Sequence, residues 1–554
     1  MPALFLVMAA CFPFAWLWLT PEDLVEFSKG ISYVPVFLSN FLFYKQSGYF
    51  DAAAELKPLL HTWSLAVEEQ YYLFFPVLLI TTWQFGKKFI IGLMIFIFIT
   101  SLCYSQYLVG IKPGAAFYLL PSRFWEILVG AFVAFYYANH NIKRHGHTAE
   151  QFGSAFGFIL IIYAIFAFDS QTPFPSFYTL VPTVGAALII VFANHRTLVG
   201  KLLGTKLMLG VGLVSYSAYL WHQPLFAFTR HRSLTEPESG LMAVLAVLSF
   251  MLAYLTWRYV ERPFRNRHRF SRRQVFTRAG IISVLFIVTG LVGQQTKGFI
   301  HLYNEQQLKI VGNIDEAKDY TWKRLNDLEH KDFKPNTYKV MVVGDSYAGD
   351  FINAVFENNP SNQVSFSTHV IGAVCGNLYL EEDLFKYIDV NAHKVCSDQN
   401  WYGDKKVVQL IEQADQVWLV SSWKNWQLPY INKSIANLEK RFGEKFLIVG
   451  NKSFGKKIKK IQLSEFSGKS TQELIGMRAP LSEEHISIND FMKNNISPDV
   501  FFNLSEAICM SAEECRLFDD SGNFIAYDGG HTTVDGAKYI GNILLKNPRF
   551  SGIF

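Results

Sequence analysis

The stretch VMVVGDSYAGDF, residues 340–351, is a short apolar run that turns at a glycine and an aspartate and then presents Ser346. A seryl hydroxyl becomes a nucleophile only when a base takes its proton and a further group orients that base. Far downstream, YDGGHTTVDGAKYIG (527–541) places Asp528 three residues before His531, in a Gly-rich turn entering a helix-forming segment. That spacing lets the carboxylate reach the imidazole and fix its tautomer. The plainer reading is an N-capping serine and a surface histidine. It loses weight because both pieces close opposite ends of one region in the order Ser, Asp, His. Ser346, Asp528 and His531 are therefore the expected catalytic set.

A second group of residues lies in apolar surroundings. In HTWSLAVEEQYYLFFP (61–76), Glu68 and Glu69 interrupt a hydrophobic run, where each charge costs roughly 2.5–3.5 kcal/mol to insert into lipid. His61 and Glu68 are seven apart and share nearly one helical face, whereas Glu69 points about 80–100° away. Arg123 and Glu126, three apart in SRFWEILVGA, can neutralise each other, and His222 stands in SYSAYLWHQPL. Each alone reads as an internal ion pair or an interfacial residue, and three polar clusters in one bundle weigh against that reading.

Both groups need elements to hold them. The 554 residues are 50% hydrophobic and only 18% charged, against about 25% charged for an ordinary soluble domain. The excess is confined to residues 1–295. About nine apolar spans are expected there, at 1–19, 60–83, 88–108, 115–138, 153–169, 178–193, 207–229, 239–260 and 275–294. The piece 34–44 is too short to span and suits the interface. Basic loops at Lys87/Lys88, 141–147, 195–206 and 262–273 fall at every second turn, the pattern of cytoplasmic loops. The net charge of +5 sits mainly in these loops and calls for no nucleic-acid partner. Residues 296–337 are polar and helix-prone and suit a linker. From 338 to 554, strands and helices alternate, which predicts a parallel sheet with crossover helices. The fold class is thus a polytopic α-helical membrane domain followed by a soluble α/β domain.

Cys11 and Cys103 lie in apolar spans and are expected as lone buried thiols. Cys375, Cys396, Cys509 and Cys515 lie in the soluble half, an even count that fits two disulfides in an oxidising compartment. Three pairings are possible, and short loop closure favours Cys375–Cys396 with Cys509–Cys515. If the basic loops are cytoplasmic, the last span exits outward, so charge and cysteine readings agree on a soluble half outside the cytoplasm. No metal-ligand spacing stands out, and no metal is expected.

The G-D-S and D-x-x-H blocks resemble those of the SGNH hydrolases over about 338–554. The resemblance implies an oxyanion site built from the nucleophile's own N–H, a glycine N–H and an asparagine side chain, each donor worth about 3–4 kcal/mol of barrier. Gly372 or Gly376 in VIGAVCGNL would supply the glycine. The family's G-x-N-D block is missing: the matching strand ends as LVSSWKNW (419–426), and Asn425 and Asn451 are weak candidates for the third donor. HTWSLAVEEQYYLFFP, SRFWEILVGA, SYSAYLWHQPL and YVERPFR (259–265) resemble the membrane-bound acyltransferase-three family, whose fused SGNH form decorates bacterial surface glycans. The resemblance implies acetyl-CoA as donor and an envelope glycan as acceptor, O-antigen or lipopolysaccharide foremost. It also implies a multi-pass protein of the inner membrane, in contact with its lipid, with a periplasmic carboxy-terminal domain. It further implies two spans before the first one here, with an arginine and a histidine that have no counterpart in this sequence, so the chain reads as N-terminally truncated. Two other readings of the same residues stay open: a membrane-anchored glycan esterase, and a truncated, inactive transporter-like or sensor-like protein.

Overall fold

In hydrocarbon every backbone N–H and C=O must be satisfied within the chain, so long apolar runs fold as helices. The computed structural model describes residues 2–47, 54–139, 146–169, 172–233, 237–265, 271–304, 313–388, 392–397, 401–455, 466, 469–509, 511–550 and 552–554. It divides into two units, Met1–Ile300 and His301–Phe554. Five helices of the first are long and apolar enough to cross a membrane: Lys87–Val109, Pro113–Ala138, His147–Ala167, Ser239–Arg265 and Arg272–Gln295. Pro2–Trp18 and Phe177–Phe192 are shorter apolar helices. Large side chains such as Ile80 and Phe166 stand 76% and 84% exposed on the outside of the bundle, as a lipid-facing surface requires. The protein is a multi-pass membrane protein.

Three helices carry the polar clusters: α1 (Thr62–Thr82), α2 (Leu120–Asn139) and α3 (Lys206–Arg232). α1 and α3 fall short of the span criterion because those polar residues dilute their hydropathy. The segment 34–44 folds as a single 3-10 turn and the start of the helix Ser39–Lys45, with Asn40 buried. The helix Pro21–Tyr33, capped by Thr20, was not expected; its polar stretch masked its buried face. Much of the basic loops 141–147 and 262–273 lies outside the described residues.

The second unit holds a five-stranded parallel sheet of β1 (Tyr338–Gly344), β2 (Val364–Val370), β3 (Gln416–Val420), β4 (Phe446–Val449) and β5 (Phe501–Phe502) in the order β2-β1-β3-β4-β5. Strand direction of travel reverses at β1, since β2 lies on one side and β3 on the other. In open parallel sheets such a switch point leaves a crevice at the carboxyl ends of the strands. Ser346 begins the helix that leaves β1 there. Both sheet faces are covered, one by Phe351, Trp418 and Phe550, the other by Met341, Ile448 and Trp423.

The expected linker is not wholly a linker. Its helix α4 (Asn313–Asp327) packs on α5 (Ser346–Phe356): Thr321 Oγ1 bonds Asp350 Oδ1 at 3.0 Å, and Arg324 bonds Asn353 and Glu357. Polar composition hid this role because its contacts are themselves polar. The disulfides are Cys375–Cys396 and Cys509–Cys515. Cys11 is buried, but Cys103 is exposed on its helix, against the expectation; an apolar run places a thiol on a span without saying which side of the helix it takes.

Loop closure separates the two bridges energetically. The Cys375–Cys396 bridge spans 21 residues and the Cys509–Cys515 bridge 6, so the chain-entropy argument gives about 3 and about 2 kcal/mol. Replacing Cys375 and Cys396 by Ser should lower the thermal midpoint of the soluble unit more than replacing Cys509 and Cys515, measured by calorimetry under oxidising conditions.

Candidate active site

Ser346 is placed by the turn between β1 and α5. Gly344 admits no side chain, since a Cβ there would lie 1.7 Å from the Val420 carbonyl oxygen of β3. Asp345 caps α5: Oδ1 accepts the Tyr347 N–H at 2.9 Å and Oδ2 accepts the Ser422 N–H at 2.8 Å. Burial pushes its carboxyl up to about 6, although those two N–H bonds and nearby Lys424 and His531 oppose the rise. Ser346 itself is 7% exposed.

The last loop brings His531 to this turn. Its ring lies edge-on to Tyr347 with centroids 5.9 Å apart. His531 Nδ1 pairs with Asp350 Oδ2 at 2.9 Å, and Nε2 has no hydrogen bond among the described residues. Residues four apart on a helix are surface neighbours, about 5–6 Å between Cβ atoms. Asp350 stands four residues after Ser346, so the carboxylate anchors the imidazole one turn from the hydroxyl. Ser346 and His531 are not hydrogen-bonded to each other here, as is common in serine sites without substrate.

Asp528 does not hold the imidazole. Its Oδ1 accepts the backbone N–H groups of Gly530 at 2.9 Å and His531 at 2.6 Å. A short carboxylate closes readily on N–H groups two and three residues ahead, and Gly529 at φ 86° completes the turn. Asp528 thus shapes the loop and adds attraction for positive charge on His531, while the carboxylate that bonds the imidazole is that of Asp350.

Asp350 is itself held from several sides. Lys452 Nζ pairs with Oδ2 at 2.7 Å, and Thr321 and Thr532 donate hydroxyls to Oδ1. Asp350 and Lys452 are each 1% exposed. Burial alone would raise the Asp350 pKa; the Lys452 ammonium and His531 outweigh it and hold the carboxyl at about 2. Lys452 also bonds the Gly530 carbonyl and sits 4.0 Å over the Tyr347 ring. For His531, burial disfavours the charged form, but the Asp350 carboxylate wins and raises the pKa, with Asp528 adding to it. Asp350 and Lys452 were missed from the sequence; the S-x-x-x-D spacing on α5 was the available signal.

The expected oxyanion loop lies beside the turn, because the Ile371 N–H bonds the Gly344 carbonyl at 2.9 Å. Gly372 and Gly376 both belong to it. Gly376 takes φ 76°, and its carbonyl accepts the Trp401 indole N–H at 2.8 Å. Asn377 is committed elsewhere, donating to Val343 and Ser421. Asn451 is committed too, bonding both backbone groups of Trp423, and Asn425 is outside at 3.5 Å from Glu484. At the end of β3, Lys424 Nζ bonds Ser422 Oγ at 3.1 Å, so polar donors stand where the missing block would end.

In the membrane unit, the structure gathers His61, Tyr219 and His222. The His61 ring is 5.3 Å from Tyr219 and 5.6 Å from His222, and both of its nitrogens are buried without a hydrogen-bond partner. Tyr219 bonds Ser64 at 2.6 Å and also the His61 carbonyl. Glu68 and Glu69 are exposed, with no hydrogen-bond or ion-pair partner among the described residues. Arg123 pairs with Glu126 at 2.9 Å inside an aromatic cage of Trp63, Phe117 and Phe174. Sequence reasoning missed Glu261, buried at the end of a π-helical turn and bonded to Ser217 and Arg265; the motif YVERPFR contained it.

Residues 1–258 match the acyltransferase domain family, and residues 316–546 match the SGNH domain that is fused to such domains. The chain is an acyltransferase with a fused SGNH domain. It is similar to "Putative O-acetyltransferase SAS0844" of Staphylococcus aureus, at 24% identity over 79% of this chain and 78% of that protein. It is similar to "Putative peptidoglycan O-acetyltransferase YrhL" of Bacillus subtilis, at 25% identity over 53% of this chain and 52% of the relative. The "Peptidoglycan O-acetyltransferase OatA" of Listeria monocytogenes is 26% identical over 42% of this chain and 39% of its own length. No solved structure matches.

Exchanging the two carboxylates separates their roles. Asp350→Asn should lower kcat for acetyl transfer about 10²–10⁴-fold, whereas Asp528→Asn, whose amide oxygen can still accept both N–H bonds, should stay within about tenfold. The acid limb of kcat/KM should lie above the unperturbed histidine value of about 6.5, since the base must be neutral and its pKa is raised. In residual Asp350→Asn activity that limb should move to lower pH. The opposite order of losses would return the orienting role to Asp528.

Proposed function

We propose that this acyltransferase moves an acetyl group from cytoplasmic acetyl-CoA through its helical unit to a hydroxyl of an envelope glycan, with Ser346 as the final nucleophile. The observation that carries the reading is the His531 imidazole, anchored through Nδ1 on a buried carboxylate with Nε2 left for proton transfer beside the Ser346 turn. His531 Nε2 takes the Ser346 proton as Oγ attacks the acetyl carbonyl. The tetrahedral adduct collapses, and the same proton goes to the departing group, leaving acetyl-Ser346. A glycan hydroxyl then gives its proton to His531 and attacks, and Ser346 recovers the proton as it leaves. The Ser346 N–H with Gly372 or Gly376 would meet the oxyanion.

For the membrane half, His61, with both nitrogens unpartnered, is the candidate acid–base group, and Tyr219 and His222 face it. Glu68 and Glu69 carry accessible charge on the same helix, and the Arg123–Glu126 pair fixes α2 against the aromatic cage. The named relatives favour peptidoglycan among envelope glycans over the O-antigen or lipopolysaccharide expected from the motifs. Two disulfides and the alternation of basic loops support an inner-membrane protein whose SGNH domain faces away from the cytoplasm.

Ser346→Ala should abolish glycan acetylation in cells that depend on this gene, with the protein still inserted and folded. Unchanged acetylation would overturn the assignment. Glu68→Gln should impair glycan acetylation while sparing hydrolysis of a small acetyl ester at Ser346; equal loss of both would refute separate tasks for the two units.

A further inference from the structure

A second constellation lies at the far edge of the sheet from Lys452. Just after α4, the backbone of residues 328–330 pairs with β2: the Thr368 N–H bonds the Leu328 carbonyl and the His330 N–H bonds the Thr368 carbonyl, both at 3.0 Å. This brings Glu329 and His330 alongside His369. One ligand atom from each of Glu329, His330 and His369 lies within 4.8 Å of the others. His330 Nε2 and His369 Nδ1 face each other at 3.0 Å.

We propose that Glu329, His330 and His369 form a binding site for a divalent transition-metal ion. Three features favour an ion over a bare histidine pair. His369 is 4% exposed, and its other nitrogen, Nε2, donates to the Trp401 carbonyl at 2.6 Å. That bond fixes the tautomer with the Nδ1 lone pair aimed at His330, the outer-shell arrangement that metal-bound histidines use. His330 holds φ 52°, a left-handed conformation rare outside Gly and Asn, and this turn of the chain aims its ring at His369. Asp404, which caps a nearby helix through Lys406 and Val407, is close enough for its charge to act on both rings. Nitrogens 3.0 Å apart suit ligands about 90° apart on an ion at about 2.1 Å, and an opening of about 0.4 Å reaches the tetrahedral angle of zinc. Two imidazoles and one carboxylate leave coordination positions for water. Neither imidazole belongs to the Ser346 machinery, and no ligand spacing was visible because 39 residues separate the histidines.

The ion would act on the catalytic face indirectly. His369 is paired in register with Val343 of β1, one residue before Gly344, where a Cβ would meet the Val420 carbonyl. Trp401, whose carbonyl His369 holds, sends its indole N–H to Gly376 on the loop beside Ser346. A bound cation would therefore lock the chain entering the sheet to the wall of the acyl-transfer crevice.

The test uses the full-length chain, purified without a histidine tag, stripped with chelator and titrated with Zn²⁺ by calorimetry in detergent. One saturable equivalent is expected, with a rise of about 5–10 °C in the soluble unit's thermal midpoint at about 100-fold excess over Kd. His330→Asn, which keeps a residue tolerant of the left-handed backbone, and Glu329→Gln should each weaken binding at least about tenfold and abolish most of the thermal shift. Mg²⁺ and Ca²⁺ should give no shift, since imidazole suits neither. Absence of saturable Zn²⁺ binding, identical isotherms for wild type and both variants, or an equal response to Ca²⁺ would each overturn the site.

Discussion

Three ionisable groups meet out of water behind Ser346: the Asp350 carboxylate, the Lys452 ammonium and the His531 imidazole. Removing an ion from water costs several kcal/mol even after relaxation, and the cost is offset only when geometry and hydrogen bonds are complete. Here they are complete. Thr321 and Thr532 satisfy the remaining carboxylate oxygen, and the Gly530 carbonyl receives the ammonium. The contributors come from the entering helix, the helix after β1, the exit of β4 and the last loop. No one of these segments can settle without the others, so the charge cluster ties the fold of the SGNH domain to the readiness of its base.

The membrane unit manages polarity differently. Arg123 and Glu126 neutralise each other locally, and the guanidinium lies against the Trp63 and Phe174 rings. His61 is buried with neither nitrogen bonded. A buried imidazole normally finds a partner, and this one stands beside Tyr219 and His222 with both nitrogens unsatisfied. Each unit thus holds an imidazole with at least one nitrogen that makes no hydrogen bond among the described residues, His61 within the helical unit and His531 at the carboxyl end of β1.

Much of this organisation was legible from residue patterns. Apolar run lengths located helices in residues 1–295, five of them long and apolar enough to cross a membrane, alternation placed β1 to β4, and loop closure selected the disulfide pairing. The Ser346 turn was legible because strand, glycine and serine are contiguous. The orienting acid was not. D-x-x-H proximity pointed to Asp528, yet a carboxylate that near its own loop closes on backbone N–H groups, and the acid that reaches His531 Nδ1 is 181 residues away in sequence. Lys452 escaped notice because its partner Asp350 is 102 residues distant. The two-residue strand β5 is too short for any periodicity. The missing G-x-N-D block was visible, but the commitment of Asn377 and Asn451 to backbone contacts needed the fold.

The crowding at Gly344 bears on how this catalyst can be remodelled. Ser346 stands at the start of its helix. Two residues earlier the neighbouring strand's carbonyl already fills the volume of a methyl group. Directed evolution of the acceptor range therefore has freedom in the loops that frame the crevice and none in the hinge that delivers the nucleophile.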